Sequence, residues 1–75
     1  MSTREVIEGL PENIREKIEA YRADYHAAKA EQNEHKRHIE TGIARAEVWG
    51  YIKGLRDAGV ISEQSRKVLT VYATI

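Results

Sequence analysis

The chain has 75 residues and no cysteine, and its 12 basic and 12 acidic side chains leave no formal net charge. These values exclude disulfides and thiolate metal sites, and they argue against simple electrostatic capture of nucleic acid. The length allows one domain, over residues 1–75, and no apolar run reaches the roughly 18 residues that a membrane span needs. The first residues lack the basic start and apolar stretch of a signal peptide, so we expect a cytoplasmic protein with no membrane partner.

The N-terminal residues predict a short helix followed by a break. Ser2 and Glu5 have the spacing of a capping box, which predicts a helix over residues 3–8 that ends at Gly9. Pro11 suits the first turn of a second helix, because its missing N–H has no partner to lose there.

The second helix is predicted to be long and coiled-coil-like, over about residues 11–57. Eleven of its positions keep a 4-3 spacing without a slip, which is typical of a coiled-coil seam, and the middle of this seam is polar. The seam comprises Ile14, Ile18, Tyr21, Tyr25, Ala28, Gln32, His35, Ile39, Gly42, Ala46 and Trp49. Such a helix is about 54 Å long from its first to its last seam residue, which is more than the rest of the chain can cover.

One alternative is a turn near Asn33, which would fold the same residues into a compact three-helix bundle. The segment around Asn33 is poor in apolar residues, although it holds no glycine or proline. Further along, Gly59 is free to take the left-handed conformation that ends a helix, and Ser62 caps a short last helix to about Ala73. In either arrangement the fold class is all-α, with the last helix packed back on the preceding one.

The C-terminal half of the long helix is apolar on two sides. At 100° per residue, Val48, Ile52 and Leu55 share one face, which we expect the last helix to cover. The opposite face is left for another chain. We therefore predict a homo-oligomer whose interface comprises Ile14, Ile18, Tyr21, Tyr25, Ala28, Gln32, His35, Ile39, Ile43 and Ala46. Gln32 and His35 are the polar seam positions that would fix its register.

Charge favours an antiparallel arrangement of the copies. Residues 1–34 hold eight acidic and five basic side chains, a net charge of −3, and residues 35–75 hold four acidic and seven basic ones, a net charge of +3. Antiparallel pairing would lay the acidic half of one copy on the basic half of the other, although each exposed ion pair contributes only about 0–1 kcal/mol.

No catalytic or metal-binding constellation is visible. The chain holds no nucleophile–base–orienter set and no glycine-rich phosphate loop, so we expect neither an enzyme nor a cofactor. His35 and His38 lie one turn apart, but zinc needs three or four converging ligands, so we predict no metal site.

Aromatic and basic side chains cluster late in the long helix. They predict a partner- or ligand-binding surface, comprising Arg37, Arg45, Trp49, Tyr51, Lys53 and Arg56. Such residues can stack on and neutralise an anionic nucleotide, which makes an oligomeric nucleotide sponge one alternative function. A second alternative is a small DNA-binding regulator, because residues 58–62 are similar to the turn of a helix-turn-helix and Arg66 and Lys67 follow it.

The C-terminal third has the pattern Gly-Leu-x-x-Ala-Gly from Gly54 to Gly59, followed by a short apolar helix with Leu69 and Tyr72. This third resembles small helical proteins encoded by bacteriophages and integrated mobile elements. The resemblance covers about 25 residues and is mostly structural, so it assigns no functional residue. It implies a non-catalytic protein that acts by stoichiometric binding, such as an inhibitor of a host defence protein of the anti-CRISPR kind, in the host cytoplasm.

Overall fold

The computed structural model of this protein describes residues 2–75, and Met1, with which the predicted domain begins, lies outside them. That range contains four helices: α1 (Thr3–Glu8), α2 (Glu12–Lys29), α3 (Glu34–Asp57) and α4 (Glu63–Ala73). The predicted all-α class is confirmed. None of the four described helices has the length and apolar character needed to cross a membrane.

The chain turns at residues 30–33, so the prediction of one continuous helix over residues 11–57 is wrong and the alternative turn near Asn33 is confirmed. The Asn33 side chain accepts a hydrogen bond from the Lys36 amide at 2.9 Å and thereby caps a new helix. The Glu31 carboxylate accepts a hydrogen bond from the Asn33 amide at 3.2 Å, and this hydrogen bond lowers the pKa of Glu31. Two polar side chains therefore do what glycine or proline does in other turns.

α2 and α3 form an antiparallel hairpin. The ring centres of Tyr21 and Tyr51 lie 5.3 Å apart, and Arg45 Nη2 donates a hydrogen bond to the Tyr25 hydroxyl at 3.0 Å. Residue numbers therefore rise along one helix as they fall along the other. Near the turn the hairpin core is thin, because it consists of Tyr25, Ala28 and Ala44. The small side chains let the two helices approach closely there.

α4 folds back on the other end of the hairpin, as predicted. The main core comprises Val6, Ile18, Val48, Ile52, Leu69 and Ala73, with Leu55 packed against it. The largest fully buried side chains, which contribute most to the burial that holds the helices together, are Ile18, Val48, Ile52 and Leu69. The Arg22 guanidinium lies over the Tyr72 ring at 4.5 Å and also donates to the Tyr72 carbonyl oxygen at 3.2 Å, which joins α4 to the middle of α2.

Local capping matches the sequence at both short helices. The Ser2 side chain accepts from the Glu5 amide, and the Ser62 side chain accepts from the Ser65 amide at 3.1 Å. α1 is only six residues long, and it is held by its buried Val6 against α4. Between α3 and α4, Gly59 has a φ of 76°, the left-handed conformation predicted for the end of α3.

Two glycine substitutions are expected to change stability in opposite directions. Gly59→Ala should lower the free energy of unfolding by about 1 kcal/mol, because a side chain is strained at positive φ. Gly54→Ala, in the open interior of α3, should raise it by up to about 1 kcal/mol, because a Cβ there meets nothing within 4 Å. Chemical denaturation of both variants beside the parent measures the difference, and shifts of the same sign would contradict this account of the turn.

Candidate binding surfaces

The face of α3 that points away from α2 and α4 carries an uncharged strip. We call it the outer strip; it comprises Ile39, Gly42, Ile43, Ala46 and Gly50. Ile39 and Ile43 are 48% and 56% exposed, and no other element of residues 2–75 covers them. The strip spans about 16 Å along the helix axis. Two adjoining half-exposed isoleucines make this an apolar patch on the surface of the chain.

The outer strip carries two glycines as well as its two isoleucines. A Cβ built on Gly42 or Gly50 would meet nothing within 4 Å, so neither glycine is required by packing inside the chain. Each costs about 1 kcal/mol of helix stability relative to alanine. Small residues on a helix face permit another helix to approach closely, and this gives the two glycines a use outside the monomer.

The two edges of the outer strip differ in charge. The edge beside α2 borders a shallow groove that includes Asp24, Glu40 and Glu47. The edge beside α4 borders a cleft of about 450 Å³ lined by Trp49, Lys53, Arg56, Arg66 and Thr70. The strip is therefore uncharged between one acidic and one basic edge.

Ion pairs occupy much of the basic cleft. Arg56 Nη1 and Arg66 Nε lie 2.9 and 2.6 Å from one oxygen of Glu63, and Arg56 Nη2 lies 2.8 Å from Asp57. The hydrogen bonds from Arg66 and then Arg56 lower the pKa of Glu63 to about 2. Lys53 has no carboxylate within 4.0 Å in the described part of the chain, and Trp49 is 52% exposed beside it.

Half of the predicted oligomer interface lies inside the monomer, which corrects that prediction. Ile14, Ile18, Tyr21, Tyr25 and Ala28 all face the chain's own core or are packed against it. They are not open to a second copy, because the turn at 30–33 brings α3 and α4 onto this face of α2. The 4-3 spacing thus describes an intramolecular contact in its first half.

The second half of the predicted seam is at the surface. Gln32 lies in the turn and His35 in the first turn of α3, both exposed, so neither sits inside a helix–helix seam where it could fix a register. Ile39, Ile43 and Ala46 are exposed on the outer strip. Their role in association stays a prediction, now limited to α3.

The structure separates the six residues predicted to bind a partner or ligand. Trp49, Lys53 and Arg56 share the cleft beside α4. Tyr51 is packed against Tyr21 in the core, where burial raises the pKa of its hydroxyl. Arg37 lies near the turn, and Arg45 lies in the middle of α3, one helical turn before Trp49.

A second concave surface lies beside these two arginines, and we call it the basic hollow. It encloses about 930 Å³ at the turn end of the hairpin, and its lining includes Tyr25, Lys29, His35, Arg37, His38 and Thr41. Arg45 stands beside it through its hydrogen bond to Tyr25. Lys29 and Tyr25 were not predicted from the sequence as members of this site. They lie 12 to 20 residues of chain away from Thr41 and Arg45, and only the turn unites them.

Within residues 2–75 no three His, Asp or Glu side chains converge in a way that could hold a metal ion. On α4, Arg66 is held by Glu63, which leaves Lys67 as the basic side chain of that helix without a carboxylate within 4.0 Å in the described chain. A DNA-reading role for α4 has little free positive charge to draw on.

Comparison with protein-family models, with curated proteins and with solved structures gives no match for this chain. Function is therefore inferred from the outer strip, the cleft and the basic hollow.

Acid should weaken the contact between α3 and α4 through Glu63. Its pKa is lowered from 4.5 to about 2 in the folded chain, so the pairing stabilises the fold fully above pH 4.5 and is lost as the pH falls towards 2. We expect Glu63→Gln to have a flatter dependence of unfolding free energy on pH across that window. Denaturant midpoints measured at low salt test this, and parallel curves for the two proteins would refute it. Added salt should shrink the difference, because the pair is exposed.

Proposed function

We propose that this protein is a non-catalytic helical binding protein that works as a homodimer, with the outer strip of α3 as its interface. The observation that carries the proposal is the uncharged strip itself, with half-exposed Ile39 and Ile43, on a chain in which 32% of residues are charged. A second copy is the occupant we favour, because the strip is complementary to itself in shape.

Antiparallel pairing uses that complementarity. Large side chains lie at the N-terminal end of the strip and small ones at the other end. A two-fold axis between positions 44 and 45 would place Ile39 of one copy on Gly50 of the other, and Ile43 on Ala46. Large-on-small packing fills the space between helices, whereas parallel pairing would put the isoleucines together and leave the glycines facing a gap.

The size of the strip sets the strength of the dimer. A length of about 16 Å is short for the roughly 800 Å² per partner that standard stable interfaces bury. We therefore expect a reversible dimer whose population depends on concentration. The monomer does not need the dimer to fold, because it has its own hydrophobic core.

The proposal extends to a host protein as the target. The resemblance to small phage-encoded helical proteins supports stoichiometric inhibition of a host defence protein of the anti-CRISPR kind, in the host cytoplasm. Expression in a bacterium with an active defence system, followed by phage challenge, tests this extension. Protection of the phage by the parent protein that is lost in an outer-strip variant supports it, and no protection would contradict it.

Self-association is tested with two matched substitutions. Ile43 and Val71 are β-branched residues with nearly equal exposure, 56% and 57%, but Val71 lies on α4, away from the outer strip. Ile43→Lys should abolish the concentration-dependent dimer, because it places a charge in the interface, and Val71→Lys should leave it intact. Light scattering on a sizing column gives both masses.

The charged variant is expected to fold. The lysine introduced by Ile43→Lys would lie one turn from both Glu40 and Glu47, where opposite charges stabilise a helix. Circular dichroism checks the helix content of both variants. A monomeric parent protein, or equal loss of the dimer in both variants, would overturn the proposal.

Salt distinguishes the two orientations. In an antiparallel pair the acidic edges of the two outer strips adjoin each other and so do the basic edges, whereas in a parallel pair acidic meets basic. The charge argument for antiparallel copies assumed one continuous helix and does not apply to the outer strip, so large-on-small packing alone favours the antiparallel pair. We therefore expect added salt to strengthen the dimer by screening like charges. Trp49, the single tryptophan of the chain, lies beside the strip, and its emission reports association as a blue shift with rising concentration. Weakening by salt would indicate the parallel pair instead.

A further inference from the structure

We propose that the basic hollow is a binding site for a small anion that carries two or more phosphate groups. The hollow lies towards the turn of the α2–α3 hairpin, on a different side of α3 from the outer strip. The site is complete within one chain, so it stands or falls independently of the homodimer.

The hollow exists because α4 is too short to cover the hairpin. α4 ends at Ala73, and the contact of Arg22 with the Tyr72 carbonyl oxygen marks its last turn, about halfway along α2. Beyond that point the groove between α2 and α3 stays open and encloses about 930 Å³. That volume is within the range of about 300–1,000 Å³ that small-molecule sites occupy.

Among the described residues, two cations of the lining, Lys29 and Arg37, and a third beside it, Arg45, have no carboxylate partner. Lys29 Nζ and the Arg45 guanidinium lie 5.5 and 5.8 Å from the centre of the Tyr25 ring. Arg37 Nη1 donates to the Glu31 carbonyl oxygen at 3.0 Å, which holds the side chain at the turn and leaves its other N–H groups free. Within residues 2–75 none of the three has a carboxylate oxygen within 4.0 Å, in contrast to Arg56 and Arg66.

A buried donor adds to the cations. Tyr25 is only 5% exposed, and its hydroxyl accepts a hydrogen bond from Arg45 Nη2 at 3.0 Å. The hydrogen of that hydroxyl has no acceptor among the described residues, although it lines the hollow. A phenol, a planar guanidinium fork and an ammonium group gathered around one tyrosine ring match the oxygens of a phosphate group.

The charge balance selects a ligand with more than one negative charge. Glu34 is the acidic residue in the lining, and it opposes Lys29 and Arg37 in the lining and Arg45 beside it. Two positive charges remain in excess. A chain of phosphate groups neutralises that excess, whereas a single carboxylate neutralises only half of it.

The test is calorimetric titration of the full chain with inorganic tripolyphosphate as the probe. Binding should be saturable with one site per chain, and it should weaken roughly tenfold or more in Arg45→Gln, as expected for the loss of a charge-assisted hydrogen bond. Tyr25→Phe keeps the ring in the core and removes the buried donor, so it should weaken binding as well. Circular dichroism confirms that both variants fold.

Lys67→Gln is the matched control, because it removes an exposed positive charge on α4, outside the hollow. It should bind tripolyphosphate as the parent does. No binding by the parent, or equal weakening in Lys67→Gln and Arg45→Gln, would overturn the site in favour of diffuse attraction. A DNA duplex of arbitrary sequence is the second arm. Binding of the duplex without binding of tripolyphosphate would show that the phosphates belong to a polynucleotide, and would likewise refute a small-anion site.

Discussion

The fold depends on one short polar turn. In it the Asn33 side chain accepts a hydrogen bond from the Lys36 amide, and the Glu31 side chain accepts one from the Asn33 amide. Without these acceptors, backbone amides at the start of the 24-residue α3 would have no hydrogen-bond partner in the chain. With them, the chain reverses direction, and α2 can lie along α3. Every other tertiary contact between the two helices follows from that reversal.

The reversal decides which apolar residues are inside. Ile18 and Tyr25 of α2 face α3, and Val48 and Ile52 lie on the inner face of α3. α4 then completes the core with Leu69. Because an α-helix has only one inner face, Ile39 and Ile43 are left outside. The outer strip is thus a consequence of the same geometry that builds the core.

The reversal also gathers charge. Lys29 is near the end of α2 and Arg45 lies in the middle of α3, and both now flank one buried tyrosine ring. At the other end of the hairpin, Glu63 draws Arg56 and Arg66 into exposed ion pairs. One basic group is therefore internally neutralised, and the other is not. This difference separates a cleft that supports the α3–α4 contact from a hollow that can accept an anion.

Local patterns in the sequence determined the all-α class, the caps at Ser2 and Ser62, the left-handed Gly59 and the face of α3 that α4 covers, since each depends on residues a few positions apart. The 4-3 spacing was compatible with two structures, because the same pattern of residues can pack against a second chain or against another helix of the same chain. Only the tertiary structure decided between them, by burying Ile18 and exposing Ile43. The basic hollow likewise required the fold, since no local pattern brings Tyr25 and Arg45 together across 20 residues of chain.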